Sequence, residues 1–345
     1  MGNIIANLPY FIMAILAFSL LVIIHELGHF ALAKFNGVKV HEFSLGMGPK
    51  LFGIKGKETE YLIKAFPIGG YVKMEGENDE SNDPRAFNNK TPGQKLSIVS
   101  AGAIMNFILA IVLFAIIGAV DGYISPVIGE VVPNSPAMKA GILVGDKITK
   151  VNSVNIESWD DFLGEMSTNK GESLNIEVTR DSKAQKLLLK PLKDEKENKF
   201  IIGIRVSNIR EKMSLGESVV YGFDQTATSA RQIFDFFGSL FKGKVSVNDV
   251  GGPISIIRIS GKAAQMGLTS LMMLTAMLSV QLGIFNIIPF PALDGGWIFI
   301  LLFEIISGKK LNESKVAAVN YIGFMCLMAL MVLIVLKDII SPMKF

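Results

Sequence analysis

His25, Glu26 and His29 stand within five residues of one another in "LLVIIHELGHFALAKF" (20–35), one of the most apolar stretches of the 345-residue chain. Histidines four apart on a helix share one face, so both imidazoles can reach a single metal ion. The H-E-x-x-H spacing sets Glu26 beside that ion, where a carboxylate can take a proton from water acidified by zinc. In a water-soluble helix this pattern would be a modest signal. In an apolar segment it is stronger, because each ionisable residue costs roughly 2.5–3.5 kcal/mol at the centre of a membrane span. Three of them in one turn need a shared partner.

Two histidines leave a catalytic zinc site one protein ligand short. His41 falls in a strand-like segment and reads as a polar strand residue. Asp294, in "FNIIPFPALDGGWIF" (285–299), interrupts another apolar run and is the expected third ligand. Counting about 1.5 Å of rise per residue, His25 and Asp294 reach similar depth. Pro289, Pro291, Gly295 and Gly296 are expected to break the helix there and free backbone groups beside a cavity.

The elements that must hold these residues are membrane spans. Half of the residues are hydrophobic and only 19% are charged, against about 25% in soluble domains. Four uncharged stretches, 1–24, 96–120, 263–293 and 316–336, reach the roughly 20 residues needed to cross a bilayer. A net charge of +3, with basic residues spread along the chain, excludes a nucleic-acid partner as the working expectation. Cys326 is the single cysteine, so an internal disulfide is excluded. No Lys or Arg precedes Lys34, so the basic n-region of a signal peptide is missing and the first apolar segment is expected to be retained.

Residues 36–95 hold nine Lys/Arg, and the turn "SGKKLNESK" holds Lys309, Lys310 and Lys315. By the positive-inside rule these segments are cytoplasmic. Both termini and the polar region 121–262 are then outside. Lys337 and Lys344 near the C-terminus run against that assignment. Within 38–74, "VKVHEFSLGMGPKLFG" and "ETEYLIKAFPIGGYVKM" read as strands with glycine-rich turns, too apolar for a solvated linker. They are expected to form a β-hairpin tucked into the membrane, and 75–95 a polar surface loop. Residues 214–242 form an amphipathic stretch, which could lie on the membrane surface or pack on the 121–210 domain.

These motifs, taken in order, resemble the site-2 protease family of intramembrane zinc metalloproteases, in its RseP-like bacterial form. The resemblance covers nearly the whole chain. It rests on HELGH (25–29), "FSLGMGPKL" (43–51), "FPIGGYVKMEGE" (66–77), "AGAIMNF" (101–107), "GGPISI" (251–256) and "NIIPFPALDGG" (286–296). It implies His25, His29 and Asp294 as zinc ligands, Glu26 as the catalytic base, and Asn286 and Asn106 as substrate-binding residues near the active site. It also implies a membrane-reentrant hairpin that pairs with an unwound substrate segment, and regulated intramembrane proteolysis in the bacterial inner membrane. The substrates implied are single-span proteins, such as anti-sigma factors, or remnant signal peptides. Ala103 stands where the family usually has proline.

"IGEVVPNSPAMKAGILVGDKITKVNSVNI" (128–156) resembles a PDZ core, with a short helix starting near Ser135–Pro136. "SLNIEVTRDSKAQKLLLKPL" (173–192) reads as its closing hairpin. There is room for one such domain, whose expected ligand is a substrate C-terminus. The expected architecture is a multi-pass α-helical membrane protein with four transmembrane helices, a membrane-associated β-hairpin and an inserted extracytoplasmic PDZ domain. Its parts are 1–120, 121–210, a connector at 211–262, and 263–345. Two other function classes compete: a metal transporter with an intramembrane His/Asp site, and a PDZ binding protein with a dead site. Transport needs neither the glutamate nor the hairpin, and intact HExxH and LDG argue against a dead site.

Overall fold

The computed structural model describes residues 2–77, 81–169, 171–194, 199–243, 251–309 and 311–340. Met1 of the first expected span, residues 244–250 of the connector, Lys310 and Lys344 lie outside the described residues. The chain divides into two compact units, 1–116 with 219–345, and 117–218.

The first unit opens on helix α1, Gly2–Phe35. Ala14, Leu21, His25, Gly28, His29 and Ala33 recur along its buried stripe, while Leu16, Leu20 and Leu27 are exposed. A helix that is apolar on every face requires an apolar environment on its exposed side. The expected span 1–24 is too short. The helix continues through HELGH, and its long apolar stretch is Leu8–Phe35. The polar residues do not end it, because His25 and His29 point into protein and the first left-handed residue is Gly37 (φ 69°).

Strands β1 (Val40–Lys55) and β2 (Glu60–Met74) follow as an antiparallel pair. The pairing is more elaborate than the simple hairpin expected. Lys55 to Lys50 face Glu60 to Lys64, but Glu42–Leu45 face Lys73–Gly70 on one side and Glu60–Ile63 on the other. Both strands therefore bend, and the sheet has four segments in the order 70–74, 42–45, 60–63, 50–55. Gly46 (φ 82°) lies at the bend of β1, with Phe66 O only 2.4 Å from where its Cβ would sit. No side chain fits there. Segment 70–74 has a partner on one side only among the described pairings.

Helix α2, Pro92–Asp121, starts with Thr91 and Gln94 exchanging hydrogen bonds in a capping box. Ile98, Gly102, Asn106, Leu113 and Ile117 face inward, and Ile104, Ile108, Val112, Ile116 and Val120 are exposed.

The second unit is rich in short strands: β3 (Tyr123–Ile124), β4 (Ile128–Val131), β5 (Lys147–Val151), β6 (Val154–Asn155), β7 (Leu174–Arg180), β8 (Lys183–Leu189), β9 (Leu192–Asp194), β10 (Lys199–Ile201), β11 (Ile204–Val206) and β12 (Arg210–Glu211). Two helices interrupt them, α3 (Pro136–Lys139) and α4 (Trp159–Thr168). The main sheet runs β6-β5-β7-β8. Ile148, Val151, Phe162, Ile176 and Val178 fill the core. Ser135 caps α3, as its Ser-Pro start suggests, and Asp181 and Ser182 make the left-handed turn of the β7–β8 hairpin. Buried Asp146 is held by both Nε and Nη2 of Arg180 at 2.7 Å. Where the chain enters and leaves this unit, β3 pairs with β12. Glu211 there accepts from Tyr123 Oη (2.6 Å), Ser125 Oγ (2.6 Å) and Lys147 Nζ (2.8 Å). Those donors, Lys147 first, hold its carboxyl at about 2.

Back in the first unit, α5 (Leu215–Phe241) buries small residues, Ser218, Gly222, Thr226 and Ser229, and exposes Val219, Val220, Phe223 and Phe234. Gly222 lies against Ile111 O and Ala115 of α2, and the Phe237 ring meets Phe285 at 5.9 Å. This is the close packing of small residues by which helices associate in lipid.

The expected third span, 263–293, is not one helix. α6 (Pro253–Met266) ends at Gly267 (φ 120°), and α7 (Leu268–Ile287) is the apolar span. After Pro289, Pro291 and a left-handed Ala292 (φ 71°), α8 (Asp294–Ser307) begins. Gly295 and Gly296 do not break it. They sit in its first turn, against Ile288 O and Phe290 O, where a Cβ would collide. α9 (Glu313–Ile340) supplies the fourth long apolar helix.

The "GGPISI" segment has a structural role. Asp338, 1% exposed near the end of α9, accepts from Ser255 N (3.0 Å) and Ser255 Oγ (3.1 Å) in the first turn of α6. A helix start with no capping side chain of its own is thus capped from another helix. α6 in turn packs Ala263 and Ala264 against Met13 and Ala17 of α1. Asp338→Ala should destabilise the protein by about 0.5–2 kcal/mol, the usual cost of losing an N-cap, with Asp338→Asn losing less. Thermal unfolding in detergent measures this; equal midpoints for Asp338→Ala and wild type would refute the cap.

Candidate metal centre

Three ligand-bearing atoms converge where α1, α2 and α8 meet. His25 Nε2 and His29 Nε2 are 3.2 Å apart, and Asp294 Oδ2 lies 3.1 Å from the first and 3.3 Å from the second. Atoms bound at 2.0–2.1 Å around a tetrahedral zinc stand about 3.3–3.4 Å from one another. Asp294 Oδ2 is buried without a hydrogen-bond partner, an arrangement that costs free energy unless a cation completes it. The donor set, two imidazoles and one carboxylate, suits zinc. The residues present fit the ion.

Each ligand is placed by a local feature of the sequence. The i, i+4 spacing puts both histidines on the buried stripe of α1. Asp294 reaches them because 288–293 leaves the helix and α8 restarts at Asp294 itself. Close approach of α2 depends on Gly102. A Cβ there would lie 2.4 Å from His29 Nε2 and 2.6 Å from His25 Cε1. Gly28 plays the reciprocal part, with Ala101 O 2.4 Å from its missing Cβ.

His29 Nδ1 lies 2.9 Å from Ile98 O. A carbonyl only accepts, so this nitrogen carries the proton and Nε2 keeps its lone pair for a metal. Asn106 stands behind His25, its amide 3.1 Å from Nδ1. It is 0% exposed and is not on the cavity wall. Asn286 is half-buried in the last turn of α7, also apart from the cavity lining. His41 pairs with Glu75 Oε2 at 2.6 Å, away from the metal group. With the Ser81 hydroxyl first and His41 second, Glu75 is held at about 2.

A cavity of about 220 Å³ opens on the three ligands. Glu26 lines it, as do Tyr71, Val72 and Met74 of β2, Glu77, and Trp297 of α8. The bent sheet reaches the site at Gly70, whose missing Cβ would be 3.0 Å from Glu26 Cγ. The one-sided segment 70–74 therefore runs along the cavity. Tyr71, Glu77 and Trp297 escape a reading of motif spacing. Their signal was adjacency: Tyr71 and Glu77 lie within "FPIGGYVKMEGE", and Trp297 is three residues past Asp294. Glu77 lines the cavity and is exposed to solvent.

A helix-borne HExxH, a carboxylate brought to it by a broken helix, and long apolar helices around both fit the class of membrane-embedded metallopeptidases. The comparisons with known proteins narrow this class. The model of peptidase family M50 matches residues 13–330, and the chain belongs to that family. It is a zinc metalloprotease, with zinc as its cofactor. A Clostridium acetobutylicum protein described as a candidate zinc metalloprotease is 48% identical over 334 residues, 97% of this chain and 98% of that one. The zinc metalloprotease RasP of Geobacillus kaustophilus is 30% identical over 97% of this chain and 99% of its own. The regulator of sigma-W protease RasP of Bacillus subtilis is 29% identical, covering 94% and 97%. Among solved structures, the PDZ domain of an SdrC-like protein from Listeria monocytogenes aligns with 25% of this chain at 22% identity and TM-score 0.23, a likeness too slight to argue from.

Gly102→Ala should displace both imidazoles and cost the protein its zinc, whereas Gly93→Ala, where a Cβ meets nothing within 4 Å, should not. Metal content of the purified variants measures this. Full zinc occupancy in Gly102→Ala would show that α2 does not set the site.

Proposed function

We propose that this protein is a regulated intramembrane endopeptidase that cuts single-span membrane proteins or remnant signal peptides. The observation that carries the reading is the convergence of His25, His29 and Asp294 to within 3.3 Å, with Glu26 on the wall of the same cavity. A bound zinc supplies Lewis acidity, polarising a peptide carbonyl and acidifying water. Glu26 accepts the proton from the attacking water and delivers it to the leaving amine. His25, His29 and Asp294 hold the ion.

A transmembrane helix hides its peptide bonds in its own hydrogen bonds, so it must be unwound to be cut. Among the described pairings one edge of the 70–74 segment has no strand partner, and an extended substrate strand can add there along the cavity. The family resemblance assigns Asn286, in the last turn of α7 just before the break, to the substrate backbone, although it stands apart from the cavity lining. The name of the Bacillus subtilis relative ties that protein to sigma-W, and a membrane-spanning regulator of a sigma factor is a fitting substrate here. A transporter would need no proton acceptor beside the metal, and the relatives are named as proteases.

Purified protein should cleave a single-span model peptide, stop when zinc is chelated and resume when zinc is restored. Glu26→Gln should keep zinc and lose at least 10²–10⁴-fold in rate, the range for removal of a general base. Zinc-independent cleavage, or wild-type rates in Glu26→Gln, would refute the mechanism.

Four spans in the bacterial inner membrane, with both termini and a single PDZ module at 121–210 on the outer side, complete the proposal. The basic residues of 36–95 and of the α8–α9 turn support this orientation. With Cys326 replaced by alanine, a cysteine at Ser182 should react with an impermeant thiol reagent on intact cells, and one at Ser307 only after lysis. The opposite labelling pattern would invert the topology.

A further inference from the structure

The two imidazoles are supported unequally. Ile98 O fixes the tautomer of His29. Behind His25, Asn106 Nδ2 lies 3.1 Å from Nδ1, and Asn106 Oδ1 is buried with no partner. That orientation would set a donor against His25 Nδ1, forcing the ring proton onto Nε2, the atom aimed at His29 and Asp294. Two costs would then coincide: an orphaned buried carbonyl and a histidine with no lone pair for a metal. Turning the planar amide by 180° exchanges the two atoms without moving the side chain. It returns the Nε2 lone pair of His25 to the metal side, with the amide N–H groups taking the place of Oδ1.

We infer that Asn106 is a positioning residue for the metal centre: its Oδ1 accepts from His25 Nδ1–H and so turns the Nε2 lone pair toward zinc. This rests on the metal reading above and replaces the substrate-binding role expected for Asn106 from resemblance. Asn106 is 0% exposed and off the cavity wall, so substrate does not reach it. The backbone at that position is pinned as well, since Ser279 Oγ of α7 donates to Asn106 O at 2.8 Å. Ile98, Gly102 and Asn106 fall at i, i+4 and i+8 on α2. One stripe therefore provides an acceptor for each histidine, with a gap between them for the rings. Outer acceptors of this kind orient the ligand and raise its basicity, and their loss typically costs 10–100-fold in metal affinity.

The test is zinc affinity of the full-length protein in detergent, by competition with a chromophoric chelator, for wild type, Asn106→Leu and Asn106→Asp. Leucine fills the volume without an acceptor and should weaken zinc binding 10–100-fold, with KM for a single-span peptide unchanged at saturating zinc. Aspartate only accepts at neutral pH, so Asn106→Asp should bind zinc at least as tightly as wild type. If Asn106→Leu does not fold, the aspartate variant decides alone. A tenfold or greater loss of zinc affinity in Asn106→Asp would overturn the inference, because it would show that the amide acts as a donor. Wild-type zinc affinity in Asn106→Leu with a raised KM would overturn it in favour of substrate binding. Wild-type protein that binds no zinc would overturn the metal reading itself, and this inference with it.

Discussion

Bare imidazoles and a carboxylate inside apolar helices are affordable only if they satisfy one another and a shared cation. Each would otherwise carry the insertion cost of an ionisable group in a membrane. That constraint organises the first unit. α1 brings two ligands on one stripe, the break at 288–293 lets α8 start on the third, and α2 closes the back of the site through Ile98, Gly102 and Asn106. α6 and α9 stand further out, with Asp338 tying one to the other and α6 bracing α1. The helices are long because the bilayer is thick; they meet where they do because three polar side chains must meet.

The bent sheet answers a different requirement. Extended backbone at membrane depth survives only against protein or a wet cavity. Segment 70–74 has both, with Gly70 against Glu26 and Tyr71, Val72 and Met74 on the cavity wall. Its edge, which has no strand partner among the described pairings, is thereby held beside Glu26, where exposed peptide groups would otherwise be a liability.

Much of the centre was legible in the sequence because its signals are local. His25 and His29 declare themselves by helical spacing, and Asp294 by a charge in an apolar run flanked by prolines. What escaped depends on three dimensions. Hydropathy could not show that α1 continues past His25 to Phe35, since the polar residues that seemed to end the span face inward. Nor could it show that 263–293 is cut at Gly267, where a positive φ separates the last turn of amphipathic α6 from apolar α7. Strand-like composition and glycine-rich turns marked β1 and β2 but not the bends that fold them into four segments. The amphipathic stretch at α5 packs through its small residues and Phe237, while Val219, Val220 and Phe223 stay exposed. Resemblance alone pointed to Asn106, as a substrate-binding residue, and its partner, His25, lies 81 positions away.

The closure at Glu211 has a bearing on how such chains can differ in length. Tyr123 and Glu211 are neighbours across a two-residue ladder, locked by three donors onto one carboxylate. The 87 residues between them form a loop whose ends already touch, so its contents place no tension on α2 or α5. Domains with adjacent termini are those that tolerate insertion into another fold. The second unit thus behaves as a cartridge: a larger, smaller or doubled one can be inserted between the same two ends.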